Sequence, residues 1–342
     1  DSVRALFEDR AGRIWVGTVG GGMARYSGGR FQVYDRADGL PDSRIWSFAE
    51  AGDGSLWVGT YGGGLFQFRD GVRRGWSTRN GLSNNIVRAI CVDRNGDVWV
   101  GTNGGGVDII RDGRVIRNHS TRNGLTDNFI YMLHQDRQGR MWVGTYNGGL
   151  LCFDDGRWTA FGTADGFTDA AVWCMHEDRH GDAPGTLWIG TNGSGIYRYR
   201  DGRFTRLTAA NGLLSDLAFQ IVEDEQGDLW VLSNRGIFKG SKQAYNQLAD
   251  GETTRIAVTS FEGVEGVSRL ECDGPAQPAG ICTRDGKLWF ATTRGAIMID
   301  PAYNRVNTVV PNVVIERVIV DGRYLKAAPV IQMAPGTERI AI

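Results

Sequence analysis

The sequence predicts an all-β fold: a seven-bladed β-propeller of four-stranded antiparallel blades, with a truncated C-terminal β segment. Three observations carry this expectation. A segment G-x-φ-W-φ-G-T, with φ apolar, recurs as GRIWVGT, GSLWVGT, GDVWVGT, GRMWVGT and GTLWIGT, then more weakly as GDLWVLS and GKLWFAT. Its tryptophans (Trp15, Trp57, Trp99, Trp142, Trp188, Trp230, Trp289) lie 42, 42, 43, 46, 42 and 59 residues apart, so seven units fill most of the 342 residues. Fifty glycines accompany 11 tryptophans without helical periodicity, which points to tight turns between short, aromatic-rich strands.

Each unit reads as four strands. In the third, residues 86–92 form the first strand and end at the Asp93-Arg94-Asn95-Gly96 turn. Val98-Trp99-Val100-Gly101 follows, then the Asn103-Gly104-Gly105-Gly106 turn and the strand Val107-Asp108-Ile109-Ile110. Residues 115–119 complete the unit, and Asn123-Gly124-Leu125 leads to the next. Gly, Asn and Asp stand where turns need positive φ or a side chain that bonds its own backbone. One blade cannot cover both its faces, so only a ring of blades buries them. The mid-strand Trp is read as packing against the neighbouring blade rather than as a ligand group. The 46-residue step holds four extra residues, Asp182-Ala183-Pro184-Gly185, at the first turn of its blade. The 59-residue step is read as a longer link between blades six and seven. The propeller is expected over residues 1–311. Residues 312–342, with a strand at 313–320 and the Asp321-Gly322 turn, are expected to begin an immunoglobulin-like β domain or to close the ring.

Composition narrows the function. A net charge of −1 offers no long-range attraction to nucleic acid or anionic lipid, and no run of eighteen apolar residues spans a membrane. The chain starts at Asp1 without a signal-like stretch and stops inside an unfinished pattern, which reads as an excised fragment. Its five cysteines, Cys91, Cys152, Cys174, Cys272 and Cys282, form no zinc spacing.

The repeats, exemplified by LWVGTYGGGLFQF with D/N-G-L between units, resemble those of the two-component regulator propeller family. The stretch from Leu270 to Ala279, with Asp285-Gly286-Lys287-Leu288-Trp289-Phe290 and Asp300-Pro301, resembles that family's last blade. VVIERVIVDGRYL resembles the start of the triple-tyrosine domain that follows it. The resemblance implies an extracytoplasmic, periplasmic sensor of a bacterial receptor whose output is a histidine kinase, a hybrid kinase or a diguanylate cyclase. It also implies, for some members, polysaccharide fragments as ligands.

Propeller ligand sites usually lie where loops converge at one mouth of the central channel. Near the start of each first strand, eleven residues before the core Trp (fifteen in the blade with the insertion), stand Arg4, Trp46, Arg88, Tyr131, Trp173, Phe219 and Pro278. Just after the second strand stand Val19, Tyr61, Asn103, Tyr146, Asn192, Asn234 and Thr293. Both columns should reach one rim, where aromatic rings with Arg and Asn suit a sugar ring or a carboxylate. The bland alternative is that they plug the channel.

Metal and catalytic chemistry find less support. Cys91, His134 and His176 share a column of adjacent blades, but equivalent points on neighbouring blades are too far apart for ligands about 2 Å from one ion. His119 and His180 read as surface residues. The Asp-x-x-Gly turns at Asp9, Asp93, Asp136 and Asp224 lack the ligand pattern of a calcium loop and read as hairpin turns. No nucleophile, P-loop or zinc-protease motif occurs, and no cofactor is implied. The leading expectation is a non-catalytic sensory module with a small-molecule or oligosaccharide ligand, relaying through the adjacent β domain of its own chain. The competing ones are a glycan-acting hydrolase or lyase and a platform for homodimerisation.

Overall fold

A computed structural model describes residues 2–69, 72–168, 171–179, 185–261, 274, 276–303, 317–320, 323–326 and 340–341. The chain divides into two compact units, Asp1–Pro301 and Ala302–Ile342. The first is a seven-bladed propeller. Six antiparallel sheets have four strands each, and the seventh has three among the described residues. The innermost strands are Val3–Glu8, Ile45–Glu50, Val87–Val92, Ile130–Gln135, Val172–Glu177, Gln220–Glu223 and Gly280–Cys282.

The repeat has a distinct packing reason at each position. The core Trp of one blade meets an aromatic ring of the next: Trp15 packs on Phe68 at 5.6 Å, Trp99 on Phe153 at 5.5 Å and Trp142 on Tyr199 at 5.2 Å. Trp289 of blade seven packs on Tyr26 of blade one at 5.7 Å, which closes the ring. The Gly of W-φ-G-T lies where the next blade docks. A Cβ on Gly59 would sit 2.6 Å from Val87, and one on Gly101 2.7 Å from Ile130. In the D/N-G-L links the Asp or Asn accepts an N–H three residues back, as Asn123 Oδ1 does from Ser120, and the Leu is buried.

The Asp-x-x-Gly turns do more than turn. The carboxylate that caps the hairpin also accepts the core indole N–H, six residues on: Trp15 to Asp9 at 2.8 Å, Trp99 to Asp93 at 3.0 Å, Trp142 to Asp136 at 2.8 Å and Trp230 to Asp224 at 2.6 Å. Asp178 does the same for Trp188 across the insertion, at 2.6 Å. Blade two has Ala51 in this position, and the buried Trp57 Nε1 has no acceptor.

A second set of bonds joins blade to blade. The residue after the turn Asp donates its backbone N–H to the acidic or amide side chain that ends the next blade's inner strand. The pairs are Arg10 to Glu50 (2.8 Å), Arg94 to Gln135 (2.8 Å), Arg137 to Glu177 (3.0 Å) and Arg179 to Glu223 (2.8 Å). Arg284 of blade seven gives the same bond to Glu8 of blade one at 3.0 Å. Where blades three and seven place Val92 and Cys282, there is no carboxylate to receive it.

Three expectations are corrected. The long step between Trp230 and Trp289 does not merely lengthen the link after blade six. It also carries a helix, Lys242–Ala249, inside that blade, between the strands Gly236–Ser241 and Thr259–Phe261. The expected absence of helix therefore fails at this element. His119 is not on the surface: it is 5% exposed, with its ring 6.1 Å from Trp99 and 5.2 Å from Trp158. Burial lowers its pKa, so it is held as neutral imidazole. His180 and three of the four inserted residues (182–184) lie outside the described residues.

In the second unit, Arg317–Val320 pairs antiparallel with Arg323–Lys326 and with Ile340–Ala341. The hairpin partner Arg323–Lys326 was not anticipated, and residues 313–316 of the expected strand lie outside the described residues.

Candidate functional site

Five of the seven inner strands open with a bulge. The second strand of blade two pairs Thr60 with Ile45 and Gly59 with Ser47, leaving Trp46 between them free of the ladder. The same shift frees Arg4, Arg88, Tyr131 and Trp173. A bulge re-aims one side chain without moving the sheet, which is why this column holds large, unlike residues among small neighbours.

The two columns meet as their spacing implied in blades two, three and four. Trp46 lies 4.7 Å from Tyr61, and Tyr131 stacks on Tyr146 at 5.4 Å. Arg88 Nε donates to Asn103 Oδ1 at 2.6 Å. Across blades, the Arg88 guanidinium sits 4.2 Å from the Trp46 ring centroid and 4.3 Å from that of Tyr131, and Arg4 lies 5.0 Å from Trp46. Arg44, held by Asp42, covers Tyr61 at 4.9 Å. On the other side of the ring Trp173 stacks on Phe219 at 5.1 Å, and both are buried. Asn192 is exposed, its backbone N–H donating to Ala171 and its backbone bridging to Leu217. The rim is thus one arginine–aromatic stack plus one aromatic pair, and its two columns contain no Asp or Glu.

Sequence reasoning missed what floors this rim. Residues 276–279, ahead of the last inner strand, cross the channel. The Gln277 carbonyl accepts from Phe48 of blade two at 3.1 Å, and its side-chain amide bonds both backbone groups of Leu133 in blade four. The Pro278 carbonyl accepts from Leu6 at 2.9 Å, and Gln220 accepts from the Ala279 N–H at 3.2 Å. Inner strands present an unpaired edge to the channel, and Gln277 satisfies part of it. Beside this crossing, toward the turn ends of the inner strands, a cavity of about 540 Å³ is lined by Phe48, Cys91, Leu133, His134, Trp173 and Gln277, among others.

The cavity does not assemble the Cys-His-His set. Among the described residues the one cluster with metal-type spacing is His176, Asp178 and Glu223, between blades five and six. A cation already fills it: Lys242 Nζ lies 2.5 Å from Glu223 Oε1 and 3.8 Å from Asp178 Oδ2. His176 Nε2 lies 3.0 Å from the other Glu223 oxygen. Burial alone would raise the Glu223 pKa, but the bonds from His176, Lys242 and the Arg179 amide bring it down to about 2. Burial lowers that of His176 and raises that of Cys91 to about 11, leaving a neutral imidazole and a thiol.

The fold is a closed seven-bladed propeller built on W-φ-G-T repeats. Residues 1–20, 39–62, 81–104 and 124–147 match the repeat of the two component regulator propeller. No curated protein sequence matches the chain. Among solved structures it is similar to the extracellular domain of BT3049 from B. thetaiotaomicron, named as a hybrid two component system (22% identity, TM-score 0.76, 99% of this chain, 44% of that one). It is also similar to the extracellular domain of BT4673 from the same organism (16% identity, TM-score 0.69, 95% and 43%). A third likeness is virginiamycin B lyase from Staphylococcus aureus (15% identity, TM-score 0.65, 87% and 94%). These likenesses show the fold, and the chain spans less than half the length of the first two.

Proposed function

We propose that this chain is the extracytoplasmic sensory propeller of a bacterial signal-transduction receptor. It binds a small solute or oligosaccharide at its rim without turning it over, and relays occupancy through the following β segment to a kinase or cyclase output. The observation that carries this reading is the regulator-type repeat on a closed ring resembling the extracellular domains of BT3049 and BT4673. The rim chemistry agrees with it: aromatic rings, guanidinium and amide groups recognise, while acid–base cleavage of a glycoside calls for a pair of carboxylates. No helix among the described residues is long and apolar enough to cross a membrane. To signal, the solute must favour one arrangement of the ring and its neighbours over another.

Calorimetric titration with soluble oligosaccharides, each sample analysed afterwards by chromatography, tests the reading. Saturable binding with intact ligand, lost in Trp46→Ala and Trp173→Ala, is the expected result. Consumption of the ligand would move the chain to the lyase or hydrolase class, and binding indifferent to both substitutions would displace the site from the rim.

A further inference from the structure

Arg88 differs from most of the cations drawn into this fold. Arg140, Arg198, Lys239 and Lys242 each sit against a carboxylate, respectively Asp136, Asp250, Asp228 and Glu223. Arg88 is half-buried and has none among the described residues. Its one hydrogen bond among the described residues runs from Nε to Asn103, which leaves the four N–H donors on Nη1 and Nη2 without an acceptor. Burial pushes its pKa below the usual value, and Arg4, a like charge, pushes it the same way. A half-buried cation without a counter-charge loses part of its hydration, and its flanking rings recover only part of that cost. Its geometry is nonetheless fixed, with Trp46 and Tyr131 packed on the guanidinium and Asn103 holding Nε. What remains is the two-pronged edge of Nη1 and Nη2, whose spacing matches the two oxygens of a carboxylate.

We infer that Arg88 anchors the carboxylate of an acidic saccharide, with the sugar ring lying against the exposed face of Tyr146. Tyr146 is 41% exposed while stacked on Tyr131, the ring that packs on Arg88, so part of this aromatic surface stays open to a sugar. The inference rests on the rim as the ligand surface and adds the chemical class of ligand.

The test titrates the intact chain with galacturonate, galactose, acetate and inorganic sulfate, and repeats the series on Arg88→Gln, Arg88→Lys and Trp46→Ala. A charge-assisted pair is worth about 1.5–3 kcal/mol, so galacturonate should bind roughly 10- to 100-fold more tightly than galactose. Arg88→Gln should remove that advantage. Arg88→Lys, which keeps the charge and loses the fork, should retain part of it and guards against misfolding in the Gln variant. Acetate should bind, more weakly, for want of a ring. Galactose equal to galacturonate, sulfate equal to galacturonate, or galacturonate unaffected by Arg88→Gln would each overturn the inference. If Trp46→Ala abolished galactose binding while Arg88→Gln left galacturonate untouched, the rim would stand and the carboxylate would fall. Absence of binding by every carboxylate would overturn the inference outright.

Discussion

At the scale of single residues, blade two is the informative exception. Five blades place an Asp six positions before the core Trp, or ten across the insertion, and there it accepts the indole N–H; in four of them it also caps the turn. Ala51 provides neither, although its hairpin closes with the same backbone bonds, Ala51 N–H to Ser55 and Gly54 N–H to Ala51. A buried donor without a partner costs about 1–3 kcal/mol. Ala51→Asp should therefore stabilise the chain by about 1 kcal/mol in denaturant titration, after repulsion from nearby Asp53, and Asp136→Ala should destabilise it by about 2 kcal/mol. The turns were legible in the sequence, because Asp-x-x-Gly is a local signal. The indole bond was not, since nothing in the spacing says that a turn carboxylate faces the second strand's ring.

The His176–Glu223–Lys242 contact makes a pH prediction at the same scale. Glu223 titrates near 2 in the fold against a usual 4.5, so its stabilisation is complete above about 4.5 and is lost as pH falls toward 2. His176 is lowered from its usual 6.5, so below that pH the unfolded chain takes up a proton that the folded chain refuses, and stability falls there first. Melting temperature should decline from pH 6.5 downward and steepen below 4.5. His176→Gln should flatten the upper part of the decline and Glu223→Gln the lower part.

At the scale of elements, the helix Lys242–Ala249 shows where periodicity runs out. Its Ser241 cap, which accepts the Ala244 N–H, and the Tyr245/Leu248 pair are readable in sequence, but eight residues give barely two turns of pattern. The helix stands where the pattern would place another strand, and Tyr245 presents to Trp188 the ring that a strand residue presents in other blades, with centroids 5.8 Å apart. Tyr245→Ala should cost about 3–5 kcal/mol, the range for a large buried ring. The Tyr245 hydroxyl is buried without a partner, so Tyr245→Phe should be neutral or stabilising by about 1 kcal/mol in the same unfolding experiment. The crossing of the channel by Gln277 was equally hidden. Column alignment assigned Pro278 to the rim, but a side chain that bonds a strand 144 positions earlier leaves no local signature.

At the scale of the molecule, the blade count was legible because one indole per wedge is a one-dimensional signal repeated seven times. The two rim columns were legible for the same reason, though not that Arg88 would lie between two rings. Ring closure was not legible, because it depends on residues 276 positions apart. The proposed function depends on it: a rim built from separate blades holds its geometry only if every seam is shut. The inter-blade N–H to carboxylate bonds make closure measurable by amide hydrogen exchange. In the closed ring the Arg10, Arg137, Arg179 and Arg284 amides should exchange at least about tenfold slower than Gly52, whose facing residue is Val92, and Glu8→Ala should release Arg284 alone. An Arg284 amide that exchanges as fast as Gly52 in the unaltered chain would mean that blades seven and one do not meet.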